Sequence, residues 1–221
     1  MRSVQRTVAV LLAVMMASLL SSCAAIAWPV AALTPPQKIK PLYTLPADKK
    51  VLVFVDDVQS PVSFPPVKRD LAEAIGRELL AQKVAAATIP YERVLDLMAA
   101  EKKFNDLGVA NVGRKVGADV VLYVEIRSFK LREQEGSPLW EGQISTSIRV
   151  VDAWATTNKT ARLWPQDTTD HPIGPVGMPV KEDPNVEYGA ELSKSLANRM
   201  ADRVAKLFYE HEVPAMTVDE K

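Results

Sequence analysis

Gly113-Arg114-Lys115-Val116-Gly117-Ala118-Asp119-Val120-Val121-Leu122-Tyr123-Val124 holds the end of a helix, a tight turn and the start of a strand in one short stretch. Gly117 predicts the close of a helix over 109–116, because glycine accepts the left-handed conformation that ends many helices. Ala118 allows close approach, and Asp119 suits the turn before the strand. Over 119–131 the side chains alternate. Val120, Leu122, Val124 and Ile126 share one face, and Val121, Tyr123, Glu125, Arg127 and Phe129 share the other.

Upstream, residues 51–55 (Val-Leu-Val-Phe-Val) form a continuous apolar run, as in a strand covered on both faces, and Asp56-Asp57 ends it. Pro61, Pro65 and Pro66 mark a loop. Val67, Leu71, Ile75 and Leu79 then recur at helical spacing and predict an amphipathic helix to Gln82. A short strand is expected over 84–89, and a helix over 91–103 with Val94, Leu97 and Met98 inward. Downstream, a polar turn at 132–138 predicts an antiparallel hairpin with a long strand over 139–153. A second turn at 155–159 leads to a third strand over 160–164. Residues 166–185 carry Pro172, Gly174, Pro175, Gly177 and Pro179 without periodicity and read as a long loop. Tyr188, Leu192, Leu196, Met200, Val204 and Phe208 predict a last helix to His211. The expected fold class is α/β: a three-layer-like mixed β-sheet, parallel in its first strands and an antiparallel hairpin and meander after them, packed with helices.

The amino terminus has its own pattern. Arg2 and Arg6 precede an uncharged apolar run over 8–20, long enough for a signal peptide and short for a membrane span. The run ends in Leu20-Ser21-Ser22-Cys23, which resembles the bacterial lipobox, with cleavage between Ser22 and Cys23. Cys23 is the only cysteine, which excludes an internal disulfide and a cysteine-cluster zinc site. The resemblance implies acyl chains of palmitate type on Cys23, and two or three chains anchor stably where one does not. The expected organisation is a signal peptide over 1–22, a lipidated cysteine and Pro-rich tether over 23–48, one domain over 49–212 and a tail over 213–221. Ala24 follows the cysteine in place of the aspartate that retains many lipoproteins at the inner membrane, so the expected location is the periplasmic face of the outer membrane.

The order of elements, with Gly117-Ala118-Asp119 opening an aliphatic strand, resembles a domain shared by the curli secretion lipoprotein CsgG, the activator LpoB and the amino-terminal domain of TolB. That resemblance implies an envelope assembly or partner-binding lipoprotein and no catalytic residues. A CsgG-type oligomeric secretion-pore subunit is an alternative, but the long membrane-facing strands it needs have no clear counterpart. A metal-dependent hydrolase centred on Asp56 and Asp57 is another alternative, since open α/β sheets place sites at strand ends; turn-forming acids are the simpler reading.

Other candidates are weaker. Asp167, Asp170 and His171 lack a second nearby histidine and read as a solvated loop. Glu125 and Arg127 share a strand face and read as members of a cross-strand ion pair, Asn158-Lys159-Thr160 as a turn, and His211 as a helix-end residue. Trp140, Trp154 and Trp164 cluster in or beside the hairpin and either pack under helices or form a binding surface. The 27 basic and 27 acidic residues balance, which gives no footprint for nucleic acid. The sequence thus predicts a non-enzymatic accessory protein without cofactor or resident metal. Its expected contacts are the membrane, through Cys23, and an envelope protein or glycan; the oligomeric state is left open.

Overall fold

A computed structural model describes residues 37–59, 62–132, 137, 139–179, 181–182 and 187–213. Cys23, the lipobox and most of the expected tether lie outside the described residues.

The chain divides into two units. In the smaller, β1 (Gln37–Ile39) pairs antiparallel with β9 (His211–Val213), Gln37 opposite Val213, and Lys38 Nζ lies 3.3 Å from Glu210 Oε1. His211 is therefore in a strand, not at the end of the last helix, and the expected tail begins with a paired segment.

The larger unit spans Pro41–Tyr209 and holds the core. Its elements are β2 (Lys50–Asp56), α1 (Pro66–Ala81), β3 (Ala87–Ile89), α2 (Glu92–Ala100), α3 (Val109–Val116), β4 (Val120–Arg132), β5 (Leu139–Asp152), α4 (Asn158–Ala161), β6 (Arg162–Trp164), β7 (His171–Gly177), β8 (Lys181–Glu182) and α5 (Glu187–Ala205). The sheet runs β3-β2-β4-β5. β2 is parallel to β3 and β4, and β5 is antiparallel to β4. β6, β7 and β8 lie in succession along the far edge of β5, all antiparallel to it.

The mixed α/β sheet expected from the sequence is present, with helices on both faces. Thr146 and Leu122 share one face, where the Thr146 hydroxyl donates to Met200 Sδ of α5 at 3.4 Å. Val121 points the other way, against Gly113 of α3. This two-sided cover explains why residues 51–55 are uniformly apolar: all five are buried. Gly117 has φ 83°, and α3 ends there as expected.

Four expectations need correction. The stretch 166–185 is not one long loop, because β7 and β8 pair with β5. Proline is tolerated there since an edge strand needs N–H donors on one side only. The tether does not extend to 48: Leu45 is 2 % exposed within the core, and the N–H groups of Leu42 and Tyr43 donate to the Leu207 carbonyl. Met98 points outward and is 42 % exposed, so α2 buries only Val94 fully. The last helix ends at Ala205, followed by a 3-10 turn over Lys206–Phe208.

Candidate functional site

Parallel strands leave their carboxyl ends open, and Asp56-Asp57 stands at that end of β2. Both carboxylates are engaged. Asp56 Oδ1 accepts from the Asp57 N–H at 2.8 Å, and its Oδ2 accepts from the Tyr123 hydroxyl at 3.2 Å. Asp57 Oδ1 accepts from Lys68 Nζ at 2.7 Å, and its Oδ2 from the Val62 N–H at 3.0 Å. Burial alone would raise the Asp57 pKa; the Lys68 ammonium and the Val62 N–H outweigh it and hold the carboxyl below its ordinary range. The Tyr91 hydroxyl donates to the Val55 carbonyl at 3.2 Å. Burial, with the nearby Asp56 charge, pushes both Tyr91 and Tyr123 upward, so both are neutral donors at ordinary pH. Asp56, Asp57, Lys68 and Tyr91 border a cavity of about 340 Å³ with Phe54, Met98 and Phe104.

The polar chain continues across the sheet. Tyr123 and Arg149 are register partners, and the Arg149 guanidinium lies 3.9 Å from the centre of the Tyr123 ring. Asp170, just before β7, receives Arg149 Nη1 at 2.6 Å and Arg162 Nη2 at 2.8 Å. Asp170 is thus a buried bridge between two strands and not a solvated loop residue. Glu125 is also buried, with Arg127 Nη1 3.5 Å away, and Arg127 is further held by Ser147 and Gln59.

Residues 149, 162 and 170 converge only because β6 and β7 share the edge of β5, a pairing that sequence spacing did not reveal. The one available signal was Arg149, a charged side chain between the buried residues Ile148 and Val150.

A second groove, of about 420 Å³, lies beside this chain, between the first turn of α3 and the segment that joins β5 to β6. Arg114, Arg149 and Arg162 line it. Arg114 donates from Nε to the Ala153 carbonyl at 3.1 Å and from Nη2 to the Ala155 carbonyl at 3.3 Å.

The three tryptophans do not form one surface. Trp140 is 5 % exposed and packs edge-on to Tyr188, with the Arg132 guanidinium over its ring. Trp164 is half-buried in a ring cluster with Tyr43, His171 and Phe208. Trp154 alone is well exposed, at 57 %, with its Nε1 donating to the Ala118 carbonyl at 3.1 Å. His171 belongs to that ring cluster. Among the described residues, no three His, Cys, Asp or Glu side chains converge as metal ligands. Asn158-Lys159-Thr160 opens α4, where the Thr157 side chain accepts from the Thr160 N–H.

No family model matches the chain, and no curated protein matches it. The likeness of Gly117-Ala118-Asp119 to the CsgG, LpoB and TolB domains therefore rests on those residues and the order of elements. Solved structures align with much of the chain. A PelC dodecamer from Paraburkholderia phytofirmans is 13 % identical over 80 % of this chain and 99 % of that one, with a TM-score of 0.40. The lipoprotein GNA1162 from Neisseria meningitidis is 14 % identical over 69 % and 97 %, with a TM-score of 0.40. The hypothetical protein CT253 from Chlamydia trachomatis is 12 % identical over 72 % and 95 %, with a TM-score of 0.38.

Proposed function

We propose that this protein is a lipid-anchored, non-enzymatic accessory of the bacterial cell envelope, held by acyl chains on Cys23 at the periplasmic face of the outer membrane, where its α/β domain binds another envelope component. The observation that carries the reading is Leu20-Ser21-Ser22-Cys23 behind an apolar run of signal-peptide length. No helix among the described residues is long and apolar enough to cross a membrane. The strand-end carboxylates are compatible with the non-enzymatic part: Asp57 holds Lys68 and the Val62 N–H, and Asp56 holds Tyr123 and the Asp57 N–H, contacts that close the turn after β2.

Mass spectrometry of the mature protein tests the anchor. The expected amino terminus is an acylated Cys23, and an unmodified chain beginning elsewhere overturns it. Capture from detergent-solubilised envelope tests the role: an envelope protein or glycan enriched over a soluble Cys23→Ala control supports it, and no enrichment removes it. Fractionation with the inner membrane would refute the location.

A further inference from the structure

The groove beside Trp154 is lined by three arginines, of which two share one carboxylate; an acid at its rim, Asp152, accepts from the Trp154 N–H at 2.8 Å. Asp170 is one carboxylate shared between two guanidiniums, and the side chains of Arg149 and Arg162 are only 25 % and 23 % exposed. A partly desolvated excess charge is unfavourable until an anion meets it. Arg114 adds a third guanidinium, which among the described residues has no carboxylate partner. Its two carbonyl contacts fix the guanidinium and leave the Nη1 donors without an acceptor among the described residues. In a chain whose charges balance overall, this concentration is local.

An aromatic platform stands at the rim. The bond from Trp154 Nε1 to the Ala118 carbonyl pins the indole edge, yet the residue stays 57 % exposed. Holding a large apolar ring in water is costly without a partner to cover it. Arg114 joins the two features, since its guanidinium lines the groove and lies 5.7 Å from the centre of the Trp154 ring.

We propose that this groove binds an acidic carbohydrate. The sugar ring lies on Trp154 through its C–H face, and its carboxylate is received by the Arg114 fork and the excess charge of Arg149 and Arg162. Guanidinium forks match planar carboxylates in a bidentate manner. A volume of about 420 Å³ falls in the range of small-ligand sites. Thr157 and the first turn of α3, which has no side-chain cap, supply further polar groups for sugar hydroxyls. The proposal deepens the envelope-binding role by naming a ligand class, and it rests on that role only for its setting.

The test is calorimetric titration of the full mature chain in detergent with tetragalacturonate, maltotetraose as the neutral control, and inorganic phosphate. Tetragalacturonate should bind and maltotetraose should not. Arg114→Gln should weaken binding at least about tenfold, and Trp154→Ala should weaken it several-fold. Arg114→Lys, which keeps the charge and loses the fork, should fall between. Lys102→Gln, an exposed change elsewhere, should leave binding unaltered. Absence of tetragalacturonate binding, equal binding of the neutral sugar, or wild-type affinity in Arg114→Gln would overturn the site. Phosphate binding as tightly while Trp154→Ala has no effect would reduce it to a simple anion site and overturn the carbohydrate assignment. A failed titration leaves lipidation untouched, because that is read separately at Cys23.

Discussion

Gly189, in the first turns of α5, lies directly against Trp140 of β5: a β-carbon built on the glycine would sit 2.6 Å from the indole Cη2. The absence of a side chain is what lets α5 approach the hairpin there. Trp140 cannot recoil freely, because Arg132 covers its ring at 3.9 Å and Tyr188 meets it at 5.9 Å. Gly189→Val should therefore destabilise the domain by about 1–3 kcal/mol through overpacking. A thermal melt reads this as a fall of several degrees, and an unchanged midpoint would show that the contact is loose.

Removal of Asp170 should cost more. Its carboxylate is the shared partner of Arg149 and Arg162, so Asp170→Ala leaves two half-buried guanidiniums facing each other. Breaking a buried pair from one side costs about 3–5 kcal/mol. Denaturant unfolding should show that loss, with Asp170→Asn milder because the amide oxygen still accepts a hydrogen bond. Equal stability of Asp170→Ala and wild type would mean that the arginines relax into solvent.

The Asp57–Lys68 pair sets an acid-side dependence. The folded-state pKa of Asp57 is depressed, so its contribution to stability is present above the ordinary carboxylate range and is lost as pH falls through the folded value. In Lys68→Met the burial remains and the ammonium is gone. The Asp57 carboxyl should then titrate at higher pH, measurable from its carboxyl carbon shift in NMR, and the acid-side loss of stability due to this group should shrink, because its folded and unfolded pKa values draw together. A midpoint that stays in place would show that the Val62 N–H alone holds the carboxylate.

The elements of the domain differ in how far they could be read from sequence. The aliphatic run 51–55, the glycine-ended helix over 109–116 and the spacing-four stripe of α5 were legible, because each is a local pattern matched to the period of one element. β7 was not. Pro172, Gly174 and Pro175 hide its alternation, and it is a strand only because β5 offers an edge. The arginine groove was illegible for a similar reason, since Arg149 and Arg162 meet through the pairing of β5 with β6, and Arg114 joins them only by the docking of α3 on the Ala153 and Ala155 carbonyls. Leu45 was missed because an isolated leucine among prolines has no period at all.

Leu45 gives a direct test of where the larger unit begins. It is 2 % exposed and sits just after Leu42 and Tyr43, whose N–H groups bond to Leu207. Leu45→Ala should cost about 2–5 kcal/mol, the usual range for a leucine truncated in a packed core. A tether that merely lay on the surface would show a change within about 0.5 kcal/mol.

The last helix is expected to be indispensable. Leu192, Leu196, Met200 and Val204 of α5, with Phe208 of the 3-10 turn after it, are all buried, and Leu192 and Leu196 close over Gly142 of β5 so tightly that a β-carbon there would lie 2.9 Å from the Cδ1 of each. Full burial of one such side chain contributes roughly 1.5–3 kcal/mol. Five together exceed the lower end of the net stability of a domain, about 5–15 kcal/mol. Leu196→Asp places an unpaired carboxylate at a position with no exposure, so it should unfold or aggregate the protein. Lys194→Asp puts the same side chain on the exposed face of the same helix and should shift the melt little. If both variants melt cooperatively near the wild-type temperature, the sheet is covered without α5. The stripe would then have to be explained by a partner outside the domain.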